Sequence, residues 1–159
     1  MPTLQTPTDN LGPAFAGNQL NTVIYRTPGI VTRGHYQFTA YYETLSRIIT
    51  IRRDLRDDSI QRGMIEGEYE ANDAHNMISL GLDSEGFIHI SYDHHSYPGH
   101  WMSRTYRRST KPLDVTEWTD KLLMTGTHED RVTYPVFLML PRDADDVGRA
   151  EFIRVIISE

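Results

Sequence analysis

Residues 77–92 have the sequence Met-Ile-Ser-Leu-Gly-Leu-Asp-Ser-Glu-Gly-Phe-Ile-His-Ile-Ser-Tyr. Two β-favouring runs lie on either side of an Asp-Ser-Glu-Gly tetrapeptide, which is typical of antiparallel strands joined by a tight turn. The pattern predicts strands over residues 77–82 and 87–93, with the turn at residues 84–86.

Similar runs occur along most of the chain, separated by Gly, Pro, Asp and Ser. Beyond this hairpin, strands are predicted at residues 21–26, 35–42, 47–53, 132–140 and 152–157. Helix signals are weak: only residues 116–124 could form one or two turns, and residues 142–149 are a charged linker of undefined shape. The chain is therefore predicted to be all-β with antiparallel sheets.

Regularly spaced hairpins leave a sandwich, a barrel and a propeller open as architectures. The strand groups near residues 21–64, 75–118 and 131–157 recur at the period of propeller blades. A blade has four strands in about 40–50 residues. The spacing alone does not choose between the three architectures.

Length and composition exclude several classes of protein. The chain has 159 residues, enough for one ordinary domain with a sizeable core. Lys and Arg total 16 against 22 Asp and Glu, and this net charge of −6 argues against nucleic-acid binding. The absence of cysteine excludes disulfides and thiolate metal sites. No apolar run is long enough to span a membrane, and residues 1–13 show no signal peptide, so the cellular location is not predicted.

Polar side chains concentrate in two segments, Asn72-Asp-Ala-His-Asn76 and His89-Ile-Ser-Tyr-Asp-His-His95. Because side chains alternate along a strand, one face of the second segment is expected to be polar and rich in imidazole. That face is formed by His89, Ser91, Asp93 and His95.

His75 lies just before the first strand of the hairpin. Counting pairs outward from the turn places Leu80 opposite His89 and brings His75 close to His94 or His95. Two imidazoles and a carboxylate that meet at one strand end can transfer protons near neutral pH.

Two other interpretations of these histidines stay open at this point. A histidine on a half-buried strand is more often a hydrogen-bonded structural group than a catalyst. The side chains of His75, His94 and His95 are also of the ligand type that binds a transition metal. Their spacing matches no known metal motif, so no metal or other cofactor is predicted.

The chain resembles the BNR-repeat (sialidase-like) β-propeller family, which includes the ulvan-type polysaccharide lyases. The resemblance rests mainly on Asn72-Asp-Ala-His-Asn76, Ile78-Ser-Leu-Gly-Leu-Asp83, Gly86-Phe-Ile-His-Ile-Ser-Tyr-Asp-His-His95 and Tyr106-Arg-Arg-Ser109. It extends from about residue 15 to residue 141. Residues 96–105 resemble an inserted loop.

This resemblance implies a closed propeller of several hundred residues, of which the sequence would be an N-terminal fragment with about two to three blades. Residues 1–20 would be an irregular lead-in, residues 21–141 the blades, and residues 142–159 a divergent C-terminal segment. Open blades would allow self-association, and secretion would be the family expectation.

The resemblance also implies a function and a set of site residues. The family's lyases cleave uronic-acid-containing glycans by β-elimination, so the expected partner is an acidic polysaccharide. His75 and His95 would be catalytic, and the residues expected to contact substrate are Asn76, Asp93, His94 and Tyr134. The charge-neutralising Arg and a Tyr lie on later blades in the family, so this chain is expected to be weakly active or inactive alone. Whether it is an enzyme stays undecided. The alternative is a non-catalytic glycan-binding or structural propeller fragment.

Overall fold

The computed structural model describes residues 10–22, 29–95, 105–124, 133–139 and 152–157. These residues contain nine β-strands and no helix, so the all-β prediction is confirmed for them. Nor does this part of the chain contain any helix able to cross a membrane.

Several predicted segments fall partly or wholly outside those ranges, among them residues 1–9 of the expected lead-in. Asn21 and Thr22, expected to begin a strand, lie in a turn instead, where the Thr22 N–H donates to the Gln19 carbonyl (2.8 Å). The rest of that predicted strand lies outside the described residues, as do residues 96–104 of the expected loop and the expected linker at 142–149.

The first sheet is a four-stranded antiparallel meander. Its strands, in spatial order, are β1 (Val31–Arg33), β2 (Tyr36–Thr44), β3 (Arg47–Asp54) and β4 (Ile60–Glu66). Apolar residues alternate along β2, so Phe38, Ala40 and Tyr42 are buried on one face. Tyr41 packs on the opposite face, where Leu11 of the lead-in partly covers it.

The second sheet contains the predicted hairpin. Its strands are β5 (Ser79–Leu82), β6 (Ile88–Ser91) and β7 (Tyr106–Arg108). The hairpin is confirmed, but His89 lies opposite Gly81, one position from its predicted partner. Gly86 takes a left-handed φ of 93° as the last turn residue. The Asp83 N–H therefore donates to the Phe87 carbonyl (3.0 Å), and pairing begins at Phe87.

Residues 116–124 do not form the expected helical turns but run beside β7. The Thr119 N–H donates to the Arg108 carbonyl at 2.9 Å. The Leu122 N–H donates to the Tyr106 carbonyl at 2.8 Å. The prediction was wrong because these long-range bonds satisfy the backbone groups that a helix would have paired locally.

The main apolar core lies between the first two sheets. It includes the buried side chains of Phe38, Tyr42, Ile48, Leu80, Leu82, Ile88, Ile90 and Tyr92. The Thr50 hydroxyl donates to the carbonyl of Val115 (2.8 Å), so the segment after β7 lies on the first sheet. A Cβ at Gly63 would lie 1.6 Å from the same carbonyl oxygen, so only glycine fits this contact.

The third sheet pairs β8 (Thr133–Met139) with β9 (Phe152–Ile157), in agreement with the last two predicted strands. Phe137 packs over Gly81, where an added Cβ would lie 2.6 Å from the Phe137 Cβ. Tyr106 and Met124 complete this second apolar cluster.

The three sheets follow one another as blades. β5, the first strand of the second sheet, contacts β1 and β8, the first strands of the neighbouring sheets. Successive antiparallel sheets whose first strands adjoin are the arrangement of a β-propeller. The fold is therefore about two to three antiparallel blades of an incomplete propeller.

Candidate functional site

The polar residues singled out in the sequence lie at the end of the second sheet that is opposite the Asp83–Gly86 turn. Residues 72–76 lead into β5, and residues 92–95 follow β6. The buried hydroxyl of Tyr42 joins the two segments, because it donates to the Asn76 carbonyl (2.7 Å) and accepts the Asp93 N–H (3.1 Å).

His75 and His95 meet on one carboxylate, that of Asp73. The Nδ1 atom of His75 lies 2.6 Å from Asp73 Oδ1, and the Nδ1 atom of His95 lies 2.6 Å from Oδ2. The two rings are stacked, with centroids 4.5 Å apart and planes inclined by 28°. The expectation that these two histidines approach each other at one strand end is confirmed. We call the two histidines joined by Asp73 the bridged pair.

Local hydrogen bonds hold both rings in place. The Asp73 carboxylate accepts the backbone N–H of His75 (2.9 Å), the short-range bond of an Asx turn. Asn76, with 2% of its surface exposed, accepts the His95 N–H at Oδ1 (2.6 Å). Its Nδ2 donates to the Glu70 carbonyl (3.0 Å). The Asn76 amide thus ties the segment after β6 to the segment before β5.

The prediction of one polar strand face along residues 89–95 is wrong, because the strand does not continue that far. β6 ends at Ser91, and Asp93 has a left-handed φ of 56°, so the alternation of side chains stops there. The Asp93 carboxylate accepts the Glu70 N–H (3.0 Å). His94 is buried, with 5% of its surface exposed, and does not belong to the bridged pair.

Tyr134, in β8, brings the third sheet to the site. Its ring centroid lies 5.4 Å from that of His95 and 6.0 Å from that of His75, edge-on to the latter. The third sheet therefore contributes an aromatic side wall beside the two imidazoles.

The surroundings of Asp73 favour its charged form. Partial burial raises the pKa of this carboxyl, but the hydrogen bonds from the His75 backbone and from the two rings outweigh burial, and the pKa lies below its usual range. A carboxylate can only accept, so each ring donates an Nδ1–H to it. A neutral ring in this tautomer carries its lone pair on Nε2, which is the atom that can take up a proton.

Asp73 is a residue of the candidate site that the sequence patterns do not predict. It lies within the Asn72–Asn76 string, but strand alternation predicts Asp93 as the carboxylate near the two histidines. The Asp-x-His spacing was the available signal, since an aspartate two residues before a histidine readily forms an Asx turn with it.

His89 belongs to a separate polar cluster. Its Nδ1 lies 2.6 Å from the Tyr106 hydroxyl, and its Nε2 lies 3.1 Å from Asp83 Oδ2. The ring is buried and also packs near Phe137, at 6.0 Å between centroids. The structure thus assigns it to the contact between the second and third sheets, away from the bridged pair.

The donor atoms for a metal ion are present in Asp73, His75 and His95. One ligand atom from each of Asp73, His75 and His95 lies within 4.8 Å of the others. Asp73, rather than His94, completes this set. Two imidazoles and a carboxylate are a donor set used for zinc and related ions.

Comparison with known proteins places these features in a family. A sequence profile described as "BNR repeat-containing family member" matches residues 36–144. No curated protein sequence matches the chain.

The solved structures that are similar in fold include three of polysaccharide lyases. Two are of a PL25 ulvan lyase, and one of these is bound to -[GlcA(1-4)Rha3S]-. Each has a TM-score of 0.54, with a sequence identity of 17% for the bound structure and 18% for the other. The match covers 72% of this chain and 29% of the lyase chain. The third is polysaccharide lyase Uly1, with a TM-score of 0.50 at 17% identity over 86% of this chain and 38% of the lyase chain. This chain thus spans less than two fifths of the length of each lyase, and at such identities the likeness is one of fold.

Proposed function

Because the chain belongs to the BNR repeat-containing family, we propose that it is a lyase-like propeller protein that binds uronic-acid-containing polysaccharides and cleaves them by β-elimination. We assign proton transfer to His75 and His95. The observation that carries this assignment is the bridged pair, in which each Nδ1 lies 2.6 Å from one oxygen of Asp73.

β-Elimination at a uronic acid needs a base, an acid and a positive charge. The base removes the proton at C5, the C4–O4 bond breaks as the C4–C5 double bond forms, and the acid protonates the departing O4. A cation beside the uronate carboxylate stabilises the negative charge that develops next to it.

The bridged pair is suited to the two proton transfers. The single negative charge of Asp73 balances one protonated ring, so the pair can hold one imidazolium and one neutral imidazole together. The neutral ring takes the C5 proton at Nε2, and the protonated ring gives its proton to O4. The His75 side chain is 49% exposed and that of His95 is 23% exposed, so a substrate in solution can reach both.

Tyr134 is proposed to stack on a sugar ring beside the histidines, because aromatic faces bind the apolar faces of sugars. The other residues expected to contact substrate have structural bonds that support the pair. Asn76 holds the His95 backbone and Asp93 holds Glu70, while His94 is buried. Direct contact of these three with a sugar stays a prediction.

A second candidate is glycan binding without cleavage. It concerns the 159 residues taken by themselves, which correspond to 29% and 38% of the lyase chains. The resemblance puts the neutralising Arg on a later blade. Loss of one charge-stabilising group slows a reaction by about 10²–10³-fold. We therefore expect this chain alone to bind an acidic glycan more readily than it cleaves it.

The test combines binding and turnover on the same samples. Binding of ulvan oligosaccharides is measured by calorimetry, and cleavage by the absorbance of the unsaturated uronate product. His75→Ala and His95→Ala are each expected to weaken binding and to lower any elimination rate by about 10²–10⁴-fold, the usual contribution of a general acid or base.

His35→Ala is the matched control, because His35 is an exposed histidine in the β1–β2 turn, outside the site. It should leave binding and rate unchanged. Binding that survives in both site variants, or its absence in the unmodified chain, would contradict the proposed function. Binding without any cleavage would favour the second candidate.

A further inference from the structure

We infer that Asp73, His75 and His95 form a binding site for a divalent transition metal ion of the zinc type. The first support is convergence, because one donor atom from each of the three residues lies within 4.8 Å of the others. The donors come from two segments separated by the whole β5–β6 hairpin, so their meeting is a product of the fold.

The site is also built in advance of any ion. The His75 N–H is bound to Asp73 (2.9 Å), and the His95 N–H is bound to the buried Asn76 amide (2.6 Å). The Tyr42 hydroxyl forms hydrogen bonds to the backbone of the same two segments. The free-energy cost of ordering the ligands when an ion binds would therefore be small.

The chemistry of the donors selects the ion. Two imidazole nitrogens and one carboxylate suit zinc, cobalt, nickel and copper, whereas calcium and magnesium prefer all-oxygen sites. Three protein ligands leave a fourth position for water, as in open zinc sites. The half-exposed His75 side chain places that position near solvent.

Metal binding changes the tautomer of both rings. In the ion-free pair, each ring donates an Nδ1–H to Asp73. To bind an ion at Nδ1, a neutral ring must carry its proton on Nε2 instead, and a doubly protonated ring must release its Nδ1 proton. An Nε2 that carries a proton cannot accept another, so the ion would inhibit proton transfer. Only this last consequence rests on the proposed function; the metal site does not.

Metal binding is tested on the whole 159-residue chain after it has been stripped with a chelator. Zn²⁺ is titrated by calorimetry, and Co²⁺ is added as a coloured probe of coordination. One Zn²⁺ per chain is expected at this site. Asp73→Asn, His75→Ala and His95→Ala should each weaken it by at least about 10-fold, since even the loss of a group that supports a metal ligand costs 10–100-fold. His35→Ala should bind as the unmodified chain does.

Two results would overturn the metal site. One is equal Zn²⁺ affinity in the unmodified chain and in His75→Ala, whose exposed side chain makes misfolding of the variant a small risk. The other is an X-ray absorption spectrum of the Zn²⁺-loaded unmodified chain that shows no imidazole ligands, a measurement that needs no variant.

In a separate experiment, the rate of uronate elimination is measured with and without Zn²⁺, and Zn²⁺ should slow any elimination. If no elimination occurs, the proposed function fails in its catalytic part while the binding data still decide the metal site.

Discussion

At the scale of single residues, Asp73 and Tyr42 determine the site. The Asp73 carboxylate accepts a hydrogen bond from each imidazole, one on each oxygen. The Tyr42 hydroxyl bonds to the backbone of both segments that bear the histidines. Each of these two residues therefore links the segment before β5 to the segment after β6.

Replacing Tyr42 with Phe tests this support. The change leaves the Asn76 carbonyl and the Asp93 N–H without the hydroxyl that bonds both, and an unsatisfied buried polar group costs about 1–3 kcal/mol. Urea unfolding should show a loss of that order. The control is Tyr69→Phe, whose hydroxyl donates to one carbonyl, that of Ile65 (3.0 Å), and the loss should be smaller. Equal losses would contradict the bridging role of Tyr42.

The acid stability of the protein depends in part on Asp54. Hydrogen bonds from the Arg56 side chain and backbone lower the pKa of this carboxyl to about 2. Because the pKa is lower in the folded state, the carboxylate stabilises the fold above the unfolded value of about 3.9. That contribution is lost as the pH falls from about 4 towards 2.

Unfolding by urea at a series of pH values should therefore show a steeper acid decline in the unmodified chain than in Asp54→Asn. Asp58→Asn is the control, because the Asp58 side chain is 65% exposed in its pair with Arg53 and such surface pairs contribute little. An unchanged acid profile in Asp54→Asn would contradict this role.

At the scale of elements, close backbone approaches hold the sheets together. The carbonyl of Val115, in the segment after β7, lies on β4 at Gly63, and the Phe137 ring of β8 lies on β5 at Gly81. Each contact occurs where a glycine leaves room for the neighbouring sheet.

Gly63→Ala should destabilise the protein by about 1–3 kcal/mol or more, the usual cost of overpacking a contact that cannot yield. A Cβ there would lie 1.6 Å from a backbone oxygen, which has no rotamer to change. Gly29→Ala is the matched control, since a Cβ at Gly29 meets nothing within 4 Å. Thermal unfolding compares the two, and equal melting temperatures would show that the Val115 segment does not press on β4.

At the scale of the whole molecule, the first sheet ends on a strand that pairs on one side only with the other described strands. β4 is the outer strand of that sheet, and Ile60 and Met64 on one of its faces are 38% and 46% exposed. An open edge with exposed apolar side chains pairs readily with another chain.

We expect the chain to self-associate through this edge, so light scattering should give a mass above that of one chain. The double variant Ile60→Lys with Met64→Lys should lower the mass, because lysine on an edge strand opposes pairing. Leu55→Lys is the control; Leu55 is 44% exposed but lies between β3 and β4, and its replacement should have no effect. A single-chain mass for the unmodified protein would contradict this prediction.

Local features of the sequence determined the all-β class, the hairpin around residues 83–86 and the approach of His75 to His95. These follow from strand alternation, from turn residues and from the fact that both histidines lie just beyond the open end of one hairpin. Each depends on neighbours close in sequence or on one strand pair, which a pattern can express.

Only the tertiary structure decided the rest, because the deciding bonds join distant segments. The course of residues 116–124 beside β7 depended on hydrogen bonds to that strand. Asp93 does not lie on the expected polar face, because its carboxylate accepts the Glu70 N–H. Tyr134, in the third sheet, contacts the ring of His95. No local pattern encodes such contacts, since each is formed only when the blades pack and every buried polar group must find its partner.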